Sequence, residues 1–236
     1  MSKLIIYHGS DHIIKKPELR KGKKYNDYGQ GFYCTEDIEL AKEWACKNEN
    51  DGFVSIYELK TKGLNILNLN GEGYTILNWI ALLLKHRTFT LDNEIQRQAR
   101  DYMIEHFLID TADYDVIIGY RADDSYFSFA ESFVSNTLPL SLLNEALRLG
   151  KLGEQVALVS PKAFESIKFI KAEAVDRKIY YPKFKKRDTK AREDYRKYRN
   201  SQSREALDLS KEIFVLDIIR QEMSNDDERI QRIISH

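Results

Sequence analysis

The hydrophobic and polar positions follow two periods along the chain, one typical of strands and one typical of helices. Short apolar runs predict strands, and these runs are Leu4–His8, Gly31–Thr35, Phe53–Leu59, Asn65–Leu69, Tyr114–Gly119, Gln155–Ser160 and Ser166–Lys171. Apolar residues at helical spacing predict helices, and these segments are Glu36–Asn48, Thr75–Lys85, Asn93–Phe107, Asp124–Ser135 and Ser141–Leu149. Short strands interrupted by helices indicate an α+β or mixed α/β fold.

One helix start is predicted from the residue that precedes it. The segment Glu36–Asn48 carries Ile38, Ala41 and Trp44 along one face, and Thr35 stands directly before it. A threonine side chain at such a position accepts a hydrogen bond from the first turn of the helix. Thr35 is therefore predicted to be the N-cap.

The composition of the chain changes near Lys178. Lys178–Arg204 contains eleven lysines and arginines against three acidic residues, together with five aromatic side chains. Leu207–Met223 then has apolar residues at helical spacing. These features predict a domain over residues 1–177, with a helical insertion at about 74–108. Residues 178–236 would form a basic tract and an amphipathic C-terminal helix that packs on the core.

Overall composition limits the class of protein. The 236 residues are 42% hydrophobic and carry equal numbers of basic and acidic side chains, so we expect a folded core and no global attraction to nucleic acid. The most apolar stretch, Trp79–Leu84, is too short to span a bilayer, and no membrane contact is expected. Cys34 and Cys46 are predicted to be reduced thiols. We therefore expect a cytoplasmic protein, and export by a route without a cleavable signal stays open.

Candidate chemistry concentrates in two early segments. The first strand ends in Tyr7–Ser10 (YHGS), and Asn26–Thr35 (NDYGQGFYCT) places two glycines among three aromatic rings. The simplest interpretation is a turn at Gly29 and Gly31 with core aromatics around it. The alternative is a ligand site, because glycine allows a ligand to approach the backbone closely.

The order of these motifs resembles the ADP-ribosyltransferase superfamily, and most closely a bacterial branch of it known as a domain of unknown function. The matching features are YHGS, DYGxGFYCT followed by AxxWA, the YRADD stretch and the late QVALVS strand, which together extend from about Leu4 to Lys171. The resemblance implies an α+β fold whose split β-sheet core forms a cleft for NAD. The dinucleotide would serve as a co-substrate.

The resemblance also implies roles for individual residues. His8 would hydrogen-bond the adenosine-side ribose, Gly9 would offer its backbone N–H and C=O to the nicotinamide amide, and Tyr33 would stack on the nicotinamide ring. Further residues implied at the cofactor are Ser10, Asp27, Tyr28, Gly31 and Phe32. Such a cleft favours the oxocarbenium-like charge that develops as the glycosidic bond of NAD breaks. Without the resemblance, His8 would be interpreted as a core histidine at a strand end.

The third catalytic position implied by the resemblance lies at the head of the late strand, where Glu154 and Gln155 are neighbours. Successive strand residues face opposite sides, so one of them faces the cleft and the other does not. The bacterial branch has glutamine here, which favours Gln155. A glutamine positions the ribose but supplies no net charge, and losing one such electrostatic contact costs roughly 3–4 kcal/mol. The enzyme would then use another acid, work slowly, or use Glu154.

Asp123 and Asp124 are the candidates for another acid. They lie in YRADDSYF, close to Tyr126, and either could act as a base for the acceptor or bind the ribose. The alternative is that one of them caps the helix that follows. His8 and His12 are four residues apart, but they lie in a strand that runs into a loop, and no further ligand cluster completes a site. No metal is expected.

The resemblance implies a bacterial mono-ADP-ribosyltransferase that transfers ADP-ribose from NAD to a protein or nucleic acid. It would act as a toxin of a toxin–antitoxin pair or in phage defence, with an antitoxin protein as a further partner. Gln155 supports an alternative, a catalytically degenerate module that binds NAD without turnover. The basic tract supports another, a nucleic-acid-binding protein that combines phosphate contacts with base stacking, although such charge runs are usually solvated helix faces.

Overall fold

The computed structural model describes residues 3–122, 124–149, 153–204 and 212–234. These residues form a mixed α/β structure with two β-sheets and nine helices. The chain divides into two compact units. The first unit comprises Met1–Asn70, Asp110–Arg121 and Leu152–Arg187, and the second comprises Gly71–Ile109, Ala122–Lys151 and Asp188–His236.

The strands of the described residues all belong to the first unit. They are β1 (Lys3–Ser10), β2 (Phe32–Cys34), β3 (Gly52–Lys60), β4 (Ile66–Asn68), β5 (Val116–Tyr120), β6 (Glu154–Leu158) and β7 (Ile167–Val175). The helices are α1 (Ile38–Ala45), α2 (Ile76–His86), α3 (Glu94–Phe107), α4 (Asp124–Val134), α5 (Leu140–Leu149), α6 (Pro161–Ser166), α7 (Arg177–Arg204), α8 (Val215–Arg220) and α9 (Glu228–Ile234). The strands and the first five helices lie close to the predicted segments.

Two sheets form the framework of the first unit. One is antiparallel with the order β1-β3-β7, and the other has the order β2-β6-β5-β4 with a parallel β4–β5 pair. The two sheets approach each other where Tyr7 and Thr35 exchange backbone hydrogen bonds of 2.8 and 3.0 Å. This bridge brings the end of β2 to the edge of β1 that does not pair with β3.

Apolar side chains from both sheets build the core of the first unit. One cluster contains Ile6, Phe32, Cys34, Tyr57, Leu59, Val116, Val156, Leu158 and Ala163. A second cluster lies under α1 and contains Ala41, Ala45, Cys46, Val54, Ile56 and Val175. Full burial of one large apolar side chain contributes roughly 1.5–3 kcal/mol, so these clusters hold β1, β2 and α1 in fixed positions.

Helix α2 forms the centre of the second unit. Every residue from Ile76 to Leu84 is buried, which explains why this stretch has the highest apolar content of the chain. Thr75 caps the helix, and its hydroxyl also donates to Asn225 Oδ1 at 2.7 Å. The Asn78 side chain donates to the Phe107 carbonyl at 2.8 Å. The strongly apolar segment is therefore an internal helix of the second unit.

The predicted N-cap of α1 was wrong. Asp37, not Thr35, caps the helix, and its Oδ1 accepts from the Glu39 and Leu40 N–H groups at 2.8 and 3.3 Å. Thr35 stays extended because its backbone is bound to Tyr7 in the bridge between the sheets. Its hydroxyl accepts from the Asp37 N–H instead, at 3.2 Å.

Two helix boundaries near the C-terminal part of the chain also differ from the predictions. Strand β6 ends at Leu158, and the unpredicted helix α6 follows because Ser160 caps it and Pro161 stands in its first turn. The predicted helix over Leu207–Met223 begins outside the described residues. Within them it starts at Val215, because the Ile213 carbonyl accepts from the Leu140 N–H at 2.8 Å.

Candidate functional site

The His8 ring is fixed by one backbone contact and one aromatic contact. Its Nδ1 lies 2.7 Å from the Tyr33 carbonyl oxygen, and its ring stacks on Phe32 with centroids 4.5 Å apart. A carbonyl oxygen only accepts, so Nδ1 carries a proton. Burial lowers the pKa of His8 below 6.5, although the bond to Tyr33 opposes that shift. The neutral ring thus presents Nε2 as an acceptor, and no protein donor reaches it among the described residues.

Gly9 combines close helix packing with backbone groups that point away from β3. A Cβ at this position would lie 1.9 Å from the Ala41 carbonyl oxygen of α1, so no other residue fits without a shift. Backbone groups of successive residues in an antiparallel strand point to opposite edges. Tyr7 points its N–H and C=O toward Thr35, away from β3. The N–H and C=O of Gly9 therefore point to that same edge, beyond the bridge.

The turn in NDYGQG is anchored by the hydroxyl of Tyr33. This hydroxyl donates to the Gly29 carbonyl at 2.6 Å and accepts from the Tyr28 N–H at 3.1 Å. Gly29 has a φ of 79°, a left-handed conformation that favours glycine. Gly31 lies against the backbone of β6, where a Cβ would be 2.7 Å from the Leu158 carbonyl oxygen. The backbone conformation at Gly29 and the close packing at Gly31 therefore each require a glycine, whether or not a ligand binds.

Tyr28 ties the same turn to β5. Its hydroxyl donates to the Tyr120 carbonyl at 2.6 Å, and the residue is 3% exposed. Gly119 makes room for it, since a Cβ there would lie 2.4 Å from the Tyr28 hydroxyl oxygen. The contact was not predicted. A glycine inside the apolar strand VIIGY was its signal in the sequence, because such a glycine often marks a close approach.

Gln155 lies on the same face of its sheet as Tyr33. Tyr33 is opposite Ala157 in the β2–β6 register, and residues two apart in a strand share a face. The Gln155 Nε2 donates to Asp27 Oδ2 at 2.7 Å and to the Tyr120 carbonyl at 3.1 Å. Gln155 and Asp27 are each 4% exposed. The turn thus covers Gln155 and places a carboxylate beside its amide.

Glu154 occupies the opposite face of β6. It is exposed, and its Oε1 accepts from Asn70 Nδ2 at 2.6 Å. Glu36 lies close enough that burial and the charge of Glu154 together raise its pKa. Side chains alternate between the two faces of β6, so Gln155, and not Glu154, lies on the face that carries Tyr33.

The remaining predicted site residues are less closely associated. The Ser10 hydroxyl donates to the His12 carbonyl at 2.6 Å, and the His12 ring contacts Asp11 rather than His8. Asp123 lies outside the described residues, and Asp124 begins α4 with its side chain also outside them. The structure therefore brings together His8, Phe32 and Tyr33 on one side and Asp27, Tyr28, Tyr33 and Gln155 on the other. Tyr33 contacts His8 only through its backbone carbonyl, whereas its side chain faces Gln155, on the side of β2 opposite the Phe32 ring that stacks on His8.

A family model described as Protein of unknown function (DUF3990) matches residues 4–169, which is more than half of the 236 residues. The chain belongs to the DUF3990 family. No curated protein and no solved structure matches it. The DUF3990 match contains every residue of the groups around Tyr33, whereas α7 and the segments after it lie beyond its end.

Two basic residues in the first part of α7, which lies outside the DUF3990 match, form ion pairs with α1. Arg187 donates from Nε and Nη2 to the two Glu43 carboxylate oxygens, both at 2.8 Å. Lys183 Nζ lies 3.0 Å from Glu39 Oε2. Hydrogen bonds from Lys42 and Lys183 lower the pKa of Glu39 to about 2. At least two charges of the basic tract therefore bind α1 of the same unit.

Three further features of this DUF3990 chain bear on its chemistry. Cys34 and Cys46 are both free and buried, and burial raises the pKa of each thiol. Within the described ranges, no group of three or more histidine, cysteine, aspartate or glutamate side chains is arranged to hold a metal ion. In the same ranges, no helix has the length and apolar content needed to cross a membrane.

Proposed function

We propose that this protein is a mono-ADP-ribosyltransferase that binds NAD, releases nicotinamide and transfers ADP-ribose to a macromolecule. The observation that carries the proposal is the set of polar atoms left over in the groups around Tyr33. His8 uses Nδ1–H on the Tyr33 carbonyl, and Gln155 uses Nε2 on Asp27 and the Tyr120 carbonyl. Both side chains keep an acceptor, Nε2 of His8 and Oε1 of Gln155, for which the described residues provide no donor.

Two acceptors fixed in this way suit a ligand that carries hydroxyl groups as donors. The two ribose rings of NAD present such hydroxyls. The backbone edge at Gly9 adds one donor and one acceptor, which complement the amide of nicotinamide. The resemblance to ADP-ribosyltransferases gives the same residues these roles, and two sheets that meet at one bridge are consistent with a split-sheet cleft.

In the proposed reaction, the bond between ribose C1′ and the nicotinamide nitrogen breaks, and its electron pair leaves with neutral nicotinamide. A nucleophilic atom of the acceptor then bonds to C1′ and loses its proton. The Tyr33 ring, fixed by its hydroxyl, would stack on the nicotinamide, and Gln155 Oε1 would orient the ribose. Preorganised groups of this kind stabilise the developing positive charge without reorganising during the reaction.

Transfer of labelled ADP-ribose tests the proposal. The purified protein is incubated with NAD labelled on the adenine moiety and with bacterial cell extract, and the label is followed into protein and nucleic acid. We expect transfer by the wild type, loss in His8→Ala and Tyr33→Ala, and retention in the exposed control His12→Ala. Absence of both NAD binding and transfer in the wild type would contradict the proposal.

Growth of the host gives an independent readout of the same proposal. A transferase that acts as a toxin or in phage defence inside the bacterial cell should slow growth when it is expressed. His8→Ala should relieve that effect, whereas His12→Ala should not. Equal inhibition by the wild type and His8→Ala would show that the toxicity does not depend on the candidate site.

The neutral side chain of Gln155 favours a second candidate, a module that binds NAD without cleaving it. This candidate predicts saturable binding of NAD with no release of nicotinamide. Nicotinamide release, measured by chromatography in the presence and absence of cell extract, distinguishes the two functions. The nucleic-acid-binding alternative remains a prediction for the basic tract Lys178–Arg204.

A further inference from the structure

Asp27 is a buried carboxylate within the proposed NAD site. It is 4% exposed and lies in the turn that Tyr28 and Tyr33 anchor through their hydroxyl groups. Burial of a charged group is unfavourable unless hydrogen bonds compensate it. The Gln155 amide provides one such bond at 2.7 Å. The fold therefore holds a carboxyl group at a defined place against the face that carries Tyr33.

The orientation of the Gln155 amide follows from its two partners. Asp27 Oδ2 and the Tyr120 carbonyl are both acceptors, so the atom between them must be Nε2. Oε1 then projects away from both partners. The side chain has one end fixed to a carboxylate and the other end available to a hydroxyl group, so a ribose bound at Oε1 lies one amide group away from Asp27.

The charge of the proposed substrate is complementary to that carboxylate. The nicotinamide ring of oxidised NAD is cationic, and its charge moves to the ribose carbon as the glycosidic bond breaks. In a partly buried site, a unit charge within several ångströms changes the affinity for a cation by about tenfold or more. The reduced dinucleotide has nearly the same shape, but its nicotinamide ring is neutral.

We propose that Asp27, held by Gln155, supplies the negative charge that a glutamate would otherwise provide at the third position. The site thereby selects the oxidised, cationic dinucleotide over the reduced one. This inference rests on the proposed function. Asp27 acts through Gln155 and through the electric field at the ribose, so it is a positioning and charge-supplying residue rather than one that must touch the reacting atoms.

Paired binding measurements test the role of Asp27. Affinities for NAD⁺ and NADH are measured by titration calorimetry for the wild type, for Asp27→Asn and for the double variant Asp27→Asn/Gln155→Glu. The wild type should prefer NAD⁺, and Asp27→Asn should reduce that preference by about tenfold. The double variant moves one carboxylate to position 155 and keeps an amide partner for it, so it should recover most of the preference.

The outcomes separate this inference from the proposed function. An unchanged NAD⁺/NADH ratio in folded Asp27→Asn overturns the role of Asp27 but leaves NAD binding intact. A wild type that binds neither dinucleotide overturns both. If Asp27→Asn does not fold, the double variant decides: a retained preference for NAD⁺ supports the inference, and its loss in the folded double variant overturns it. Nicotinamide release should follow the same order as the NAD⁺ preference.

Discussion

Tyr33→Phe removes a single oxygen atom and leaves the aromatic ring in place. That oxygen donates to the Gly29 carbonyl at 2.6 Å and accepts from the Tyr28 N–H at 3.1 Å. One hydrogen bond contributes about 0.5–1.5 kcal/mol, and a buried group left without a partner costs about 1–3 kcal/mol. Because Tyr28 is 3% exposed, water has little access to its N–H. We expect a loss of about 2–3 kcal/mol in the free energy of unfolding of the first unit.

The measurement must report on the first unit alone. The chain has two tryptophans, Trp44 in the first unit and Trp79 in the second, so a Trp79→Phe background leaves fluorescence from Trp44 as the probe. Urea unfolding is followed in this background for Tyr33→Phe and for the control Tyr25→Phe. Tyr25 is 70% exposed, so the loss of its hydroxyl should have little effect. Similar unfolding midpoints for the two variants would refute the conclusion that the Tyr33 hydroxyl anchors the turn.

Two other substitutions test the charge and protonation states of the first unit. Burial lowers the pKa of His8 in the folded state below its value of 6.5 in the unfolded chain. At a pH between the two pKa values the unfolded chain therefore binds more protons, and stability rises with pH. His8→Gln should therefore lose less stability than the wild type as the pH falls below 6.5, whereas His12→Gln should follow the wild type in thermal melts. Arg187→Ala leaves the buried Glu43 carboxylate without its bidentate partner and should lower the free energy of unfolding by about 2–3 kcal/mol. The control Lys186→Ala should change it little. Equal melting temperatures for the two variants would show that this ion pair contributes nothing.

Periodicity predicted the elements whose side chains are buried in a regular pattern. Helix α2 was expected over Thr75–Lys85 and spans Ile76–His86. An uninterrupted apolar segment of this kind is stable only inside a core, so its burial could be predicted. Helix ends were less predictable, since they depend on partners elsewhere in the fold. Thr35 has a side chain suited to capping, but its backbone is bound to Tyr7. The Ser160–Pro161 pair was a local signal for α6, and it could have been used.

The candidate site residues divide in the same way. His8, Gly9 and Tyr33 lie in motifs that the sequence displays directly. The alternation of strand residues showed that Glu154 and Gln155 face opposite sides, but only the β2–β6 register assigns Gln155 to the face of Tyr33. The bond between Asp27 and Gln155 joins residues 128 positions apart, and no local pattern predicts such a pair.

That pair also explains why position 155 carries an amide in this chain. A glutamate at 155 would place a second carboxylate within hydrogen-bonding distance of Asp27, and two like charges so close in a buried site cannot both stay ionised. One of them would take up a proton. An amide at 155 avoids that competition and donates to Asp27 as well. Gln155 and Asp27 thus depend on each other through their hydrogen bond, and the effect of a substitution at either position should be measured together with one at the other.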